Sequence, residues 1–293
     1  MSQPPHIDVI APSGDADVDG PLFDGIRHYL TRQEIVNTIQ LSGFIARGEF
    51  DATHPVLAAV AGEDMVGVAT VTPGFLLLLS HVETGLAIPA LVRAAIQAGL
   101  DVPGVMGPRR VALAFAEGWA EATGDTLRPG MTQRILVARA VEPPGNVPGT
   151  WRLMEPGDRS VLVSWFTAFN READDLTEEQ ARRQGKAMVD RLDDRSGAVL
   201  WLDQGGAPVS IACYKAPTMN GIRIGPVYTP PEHRRRGYAG AVTAAVTRLL
   251  LDRSFEFTCL YTNAANATAN HVYEAIGYEF VADSMQYRFE ASS

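Results

Sequence analysis

The stretch GIRIGPVYTPPEHRRRGYAGAVTAAVTRLLL, Gly221 to Leu251, constrains the fold more than any other part of the chain. Ahead of Pro230 it is a β-type run. After Arg236, Ala239, Val242, Val246, Leu249 and Leu250 follow helical spacing. Arg234, Arg235 and Arg236 therefore occupy a strand-to-helix turn. The first N–H groups of a helix lack intrahelical partners and the dipole there is positive, so an anion is favoured. Gly237 and Gly240, flanking Tyr238 and Ala239, remove side chains that would hold a phosphate away from the backbone. Arginine supplies planar donors that match phosphate oxygens. Arg234 to Gly240 thus describes a pyrophosphate cradle; the alternative is a solvated surface turn, as runs of charge often are. No G-x-x-x-x-G-K-[ST] occurs, and the local glycines do not spell G-x-G-x-x-G.

That basic turn stands out because the chain of 293 residues carries a net charge of -9. An acidic balance argues against a general nucleic-acid surface. With 46% apolar residues the chain can bury a large core in one large or two ordinary domains. No apolar run reaches the roughly 18 residues that span a bilayer. The N-terminal sequence lacks a basic, apolar, small-residue signal pattern. The expectation is a cytoplasmic protein without membrane contact; homo-oligomerisation is left open. FLLLLS, Phe75 to Ser80, is a short buried strand in this reading. Cys213 and Cys259 lie outside any metal-ligand spacing and read as buried thiols. DADVDG, Asp15 to Gly20, imitates the start of a calcium loop, but its twelfth position is Ile26 where a bidentate Glu is required. His233 and His271 have no partner at ligand spacing, so no metal is expected.

EPPGNVPGT, Glu142 to Thr150, reads as a linker between two halves. VLAAVAGEDMVGVA from Val56 and VLWLDQGGAPVSIA from Val199 match as strand, glycine turn, strand, at an offset of 143. EATG at Glu121 matches EAIG at Glu274 at an offset of 153, which places ten extra residues of the second half in the interval holding the arginines. The expected domains are 1–142, a linker at 143–150, and 151–293. The second half reads as strand (151–155), helices (158–173, 177–192), strands (197–203, 207–215, 221–229), helix (235–252), strand (255–262), helix (266–276) and final strand (278–289). This is a mixed α/β order, and the first half reads similarly.

RRRGYA, Arg234 to Ala239, resembles the [Q/R]-x-x-G-x-[G/A] signature of the GCN5-related N-acetyltransferases, and NAANATANHVYEAIGYEF resembles their asparagine-initiated helix. The resemblance covers about Trp151 to Phe289. It implies two acetyltransferase-like α/β domains in tandem, each a mixed, mostly antiparallel sheet flanked by helices, with direct transfer from acetyl-CoA to an amine. Two strands, Ile222 to Thr229 and Phe255 to Thr262, would splay to receive the pantetheine arm, with contacts from Val227, Tyr228 and Thr229. The turn would hold the pyrophosphate. Asn266 matches the residue capping the next helix near the cofactor, and Tyr273 the phenol that protonates the departing thiolate.

Plainer readings stand beside these. Asn266 serves equally as an ordinary N-cap, and Tyr273 as a core aromatic beside Ala269, Val272 and Ile276. The acid that some relatives carry on the first of those strands is absent, since Arg223 is its only charge; Glu232, Asp203, the other half or water remain as bases. The first half lacks the signature and carries Ala120 opposite Tyr273, so it reads as a degenerate domain walling the acceptor pocket or as a packing domain. The acceptor would be an amine of a small molecule or a protein, and the acidic surface favours a cationic one. The alternatives are an acyl-CoA-binding regulator without turnover and an acyltransferase resembling the tandem-domain mycothiol synthases.

Overall fold

A computed structural model describes residues 6–173, 176–193 and 195–291. The first repeat runs β1 (Asp8–Ile10), α1 (Ala16–Thr31), α2 (Thr38–Arg47), β2 (Val56–Ala61), β3 (Asp64–Thr70), β4 (Leu77–Leu79), α3 (Ala87–Gln97), β5 (Gly104–Pro108), α4 (Arg109–Thr123) and β6 (Thr126–Ala138). The second runs β7 (Thr150–Leu153), α5 (Arg159–Ala173), α6 (Glu178–Asp190), β8 (Gly197–Leu202), β9 (Pro208–Lys215), β10 (Gly221–Tyr228), α7 (Tyr238–Asp252), β11 (Phe257–Asn263), α8 (Ala267–Ala275) and β12 (Glu279–Glu290). The order of strands and helices is identical in the two, as a duplicated mixed α/β fold requires.

The compact units do not follow the linker. One comprises the described residues to Ile135, Thr262–Ala265 and the chain from Phe280. The other comprises Leu136–Tyr261 and Asn266–Glu279. β12, last in the second repeat, therefore builds the first unit. It pairs antiparallel with β5 from Ser284↔Pro108 to Arg288↔Gly104. Its apolar face explains the attachment: Tyr287 is buried with Leu77, Val105 and Phe115, and Phe289 stacks on Trp119 at 5.4 Å. Conversely Leu136 and Ala138, at the end of β6, are buried in the second unit's core. Pro/Gly composition marks the linker but does not register which sheet a terminal strand joins.

In the first unit β1, β2, β3 and β4 pair antiparallel in sequence, and β4 runs parallel to β5. Leu77 and Leu79 of β4 are buried, as FLLLLS led us to expect, while Phe75 lies outside the strand and is exposed. The acidic DADVDG segment starts a helix. Asp15 caps α1 through the N–H of Asp17, and Asp19 accepts from Ser13 and Gly14.

In the second unit β7, β8, β9 and β10 pair antiparallel, and β10 is parallel to β11. Helix α7 buries Val242, Val246 and Leu250 against Ile222, Ile224 and Leu260, and α5 buries Leu162 and Phe166 against Ile211 and Cys213. A buried hydroxyl knot ties α7 to β11: Tyr278 Oη lies 2.7 Å from Thr247 Oγ1 and 2.8 Å from Thr258 Oγ1. All three residues are almost fully buried, so removing the phenol leaves two threonines short of a partner. Tyr278→Phe is expected to lower stability by about 1–2 kcal/mol in urea unfolding; an unchanged midpoint would show the knot to be dispensable.

Candidate functional site

β10 changes character midway. Its parallel ladder with β11 pairs Gly221, Ile222 and Arg223 with Phe257, Thr258 and Cys259. Among the described residues it stops there. Two residues later comes Gly225, with φ 137, then Pro226, and the register against β9 shifts between Ile224 and Val227. Proline has no N–H to donate to a ladder, and a glycine in this backbone region marks a bulge. The Gly-Pro pair within GIRIGPVYT was a legible sign of this bulge that a plain β reading passes over.

Beyond the bulge, Tyr228 keeps its pairing toward β9: its carbonyl accepts from Ser210 Oγ at 3.2 Å. Because successive residues of a strand direct their N–H and C=O groups to opposite edges, those of Val227 point to the β11 side, where the ladder has ended. Thr229 has its carbonyl engaged by Arg234 Nε at 2.9 Å and its hydroxyl 2.8 Å from Ser210 Oγ. Of the three strand residues, Val227 is the one left with an open edge. The Tyr228 side chain is buried near Trp165 and Phe169 and donates to Glu172 at 3.1 Å. Burial and the Glu172 carboxylate push its phenol up.

After β10 a short 3-10 turn, Pro231–His233, leads into the basic segment. Arg234 is extended, Arg235 has φ 62, and Gly237, with φ 82, caps α7. The first intramolecular bond after the turn is Ala241 N–H to Gly237 O, 3.0 Å. Among the described residues, the six consecutive N–H groups from Arg235 to Gly240 have no intramolecular acceptor. A row of amides through a left-handed turn into a helix N-terminus is a nest for an anion.

The arginines divide their tasks. Arg234 donates from Nη2 to both carboxylate oxygens of Glu172, 2.7 Å to each, and lies over the Tyr228 ring. It fastens the turn to the end of α5. Arg235 and Arg236 are exposed and make no ion pair or hydrogen bond among the described residues. The intervening residues differ too: Tyr238 is buried and Ala239 partly so. Gly237 is required by its positive φ, and a Cβ there would stand 2.9 Å from Val147. Gly240 lets α7 approach Val272 of α8 and Pro144 of the linker.

Helix α8 opens on Asn266, whose Oδ1 accepts from the N–H of Ala269 at 3.0 Å. This is an N-cap in the ordinary sense. Tyr273 is half-buried and packs, like Val227, against the core that contains Ile224, Val242 and Ile276. Its ring lies 6.1 Å from that of Tyr278. Its hydroxyl has no partner among the described residues. Burial pushes this phenol up to about 12, so it stays protonated at neutral pH and is a proton donor rather than a base. Of the carboxylates weighed as bases, Asp203 is engaged by the N–H groups of Gly205 and Ala207 in the β8–β9 hairpin. Glu232 is exposed on the 3-10 turn. Glu172, which the sequence reading did not single out, has no motif to announce it; it comes to the turn through the length of α5.

The first unit has the parallel pair, Leu77↔Val105 and Leu78↔Met106, but not the turn. Its helix α3 is preceded by Leu86, without a capping side chain or a basic residue. Among the described residues there is no group of three or more His, Cys, Asp or Glu able to hold a metal. No helix there is long and apolar enough to cross a membrane.

Comparison with known proteins agrees with this geometry. A family model described as FR47-like protein, of the GCN5-related acetyltransferase kind, matches residues 213–288. No curated protein matches the sequence. Among solved structures, a GCN5-related N-acetyltransferase from Sphaerobacter thermophilus is similar with a TM-score of 0.60 at 18% identity, covering 98% of this chain and 96% of that one. A tandem GNAT protein from the clavulanic acid biosynthesis pathway gives 0.58 at 13% identity, covering 98% and 100%. A GCN5-related N-acetyltransferase from Kribbella flavida gives 0.53 at 18% identity, covering 78% and 88%. With its element order stated twice and the basic turn in the second statement, the chain has the fold of the GCN5-related N-acetyltransferases, in tandem.

Proposed function

We propose that the second unit transfers an acetyl group from acetyl-CoA directly to a primary amine. The observation that carries this reading is the row of six unpartnered amides, Arg235 to Gly240, beside two uncommitted guanidiniums. In this reading those amides, with Arg235 and Arg236, hold the pyrophosphate, while Arg234 holds the turn to Glu172. Val227 offers its open backbone edge to the amides of the pantetheine arm, and an N–H on that edge stabilises the oxyanion that forms as the amine adds. The amine nitrogen forms the new N–C bond from its neutral state, the C–S bond breaks, and the Tyr273 phenol supplies the proton that the thiolate takes up. Asn266 fixes the start of α8 and so the position of Tyr273, and the proton that the amine gives up to water restores the Tyr273 phenol by exchange with solvent. The first unit, without the turn, has no part in the chemistry.

Gly237 is a poor site for testing the cradle, since any side chain at φ 82 is strained and meets Val147. Arg235→Ala combined with Arg236→Ala removes no hydrogen bond or ion pair made among the described residues. The double variant should bind acetyl-CoA at least about tenfold more weakly by calorimetry, with a shallower salt dependence; unchanged affinity would remove the pyrophosphate assignment. Tyr273→Phe should keep acetyl-CoA affinity and lower kcat by roughly 100-fold. Because the phenol is held near about 12, its ionisation should not limit the rate until the pH approaches that value. An unchanged kcat would return Tyr273 to the role of a core aromatic. If acetyl-CoA binds and no amine accelerates thiol release, the chain is an acyl-CoA-binding regulator instead.

A further inference from the structure

On β10, Ile222 and Ile224 enter the core formed with α7. Alternation therefore turns Arg223 to the other face, where Ile211 and Cys213 of β9 meet Leu162 and Phe166 of α5. Its direct cross-strand partner on β9 is Lys215, and such partners share a face. Two cations opposed in this way repel. Neither is paired with a carboxylate among the described residues. Arg223 Nη1 is buried without a hydrogen-bond partner. Burial first, then Arg223 and Arg191, hold the Lys215 ammonium below the ordinary lysine range. The chain contains 2 lysines against 23 arginines, and one of them stands in this unfavourable place.

The place itself is informative. Arg223 is the last β10 residue laddered to β11, opposite Cys259. Arg223 therefore stands at the closed end of the opening between those strands, with Lys215 beside it on the β9 edge of β10.

We propose that Lys215 and Arg223 bind a negatively charged group, a carboxylate or a phosphate, carried by the acceptor amine. The inference rests on the acetyl-transfer reading for the identity of the ligand as an acceptor. The planar guanidinium presents the paired donors that both anions accept, and the ammonium adds a compact second charge. An anion there relieves the repulsion between the two cations. The same positive field disfavours protonation of an amine held nearby, and the neutral amine is the attacking form. This reverses the expectation, drawn from net charge, of a cationic acceptor.

The test uses the full chain and four amines: β-alanine, phosphoethanolamine, uncharged-tailed propylamine, and spermidine. Binding is measured by calorimetry with and without acetyl-CoA, for the wild type, Lys215→Gln and Arg223→Gln. β-Alanine or phosphoethanolamine should bind more tightly than propylamine or spermidine, and whichever of the two prevails identifies the anion as carboxylate or phosphate. Each variant should lose about tenfold or more in affinity for that ligand and none for propylamine. Lys215→Gln should also raise the thermal midpoint of the unliganded chain, because it removes a repulsion. The proposal is overturned if propylamine or spermidine binds as tightly as the anionic amines, if the variants leave anion affinity unchanged, or if Lys215→Gln lowers the midpoint. Acetyl-CoA affinity, read separately, distinguishes the two inferences: its absence in the wild type defeats acetyl transfer, while anion binding to the chain alone still decides the Lys215–Arg223 site.

Discussion

The candidate site depends on one strand that stops pairing. β10 ladders with β11 through Arg223 and no further, because Gly225 and Pro226 bulge the strand and shift its register against β9. A buried strand edge without a ladder is costly in a folded protein unless something else meets its polar groups. Here the edge beside Val227, the turn that follows β10 and the helix N-terminus of α7 are consecutive in sequence. Among the described residues they leave the N–H groups from Arg235 to Gly240 without an intramolecular acceptor, close in sequence to the edge at Val227. The surroundings are correspondingly firm: the Tyr278 hydroxyl knot joins α7 to β11, and the Glu172–Arg234–Thr229 contacts fix the turn. On the proposed reading this firmness is what allows an open edge to persist without ligand.

The duplication gives an internal comparison. Both repeats carry two helices, a hairpin and a parallel strand pair in the same order. Only the second has arginines and a left-handed glycine in the turn that leads from the first parallel strand into the following helix. The parallel partners also lie farther apart in sequence there, Gly221 and Phe257 against Leu77 and Val105. The common fold is thus maintained by core packing in both units, as Phe115 and Trp119 of α4 show in the first, while the polar apparatus is confined to one. The crossing of β12 into the first unit means that neither half of the sequence, cut at the linker, contains its own complete sheet.

Much of this was legible in the residues. Helical spacing after Arg236 located α7 to within a few residues, and the glycine turns located the hairpins β2–β3 and β8–β9. The strand–turn–helix order around Arg234 was legible as well, since glycine and the helix N-terminus act locally. What escaped depends on contacts remote in sequence. The pairing of Arg234 with Glu172 is one such contact, between residues 62 positions apart. The burial of the Tyr228 ring beside Trp165 and Phe169 of α5 is likewise set by residues remote in sequence. The Lys215–Arg223 opposition follows from register, which alternation alone does not set. Gly225–Pro226 is the exception, a local signal that could have been read.

The central claim is that the open edge of β10 and the amides of the following turn, in the second unit alone, receive the nucleotide thioester. Amide hydrogen exchange with and without acetyl-CoA tests it directly, since the amides of Arg235 to Gly240 have no intramolecular acceptor among the described residues and should exchange freely in the unliganded chain. Acetyl-CoA should slow exchange in the peptides that contain Val227 and Arg235 to Gly240, and leave those spanning β4 and the start of α3 unchanged. No slowing at Arg235 to Gly240, or equal slowing in the first unit, would contradict the account.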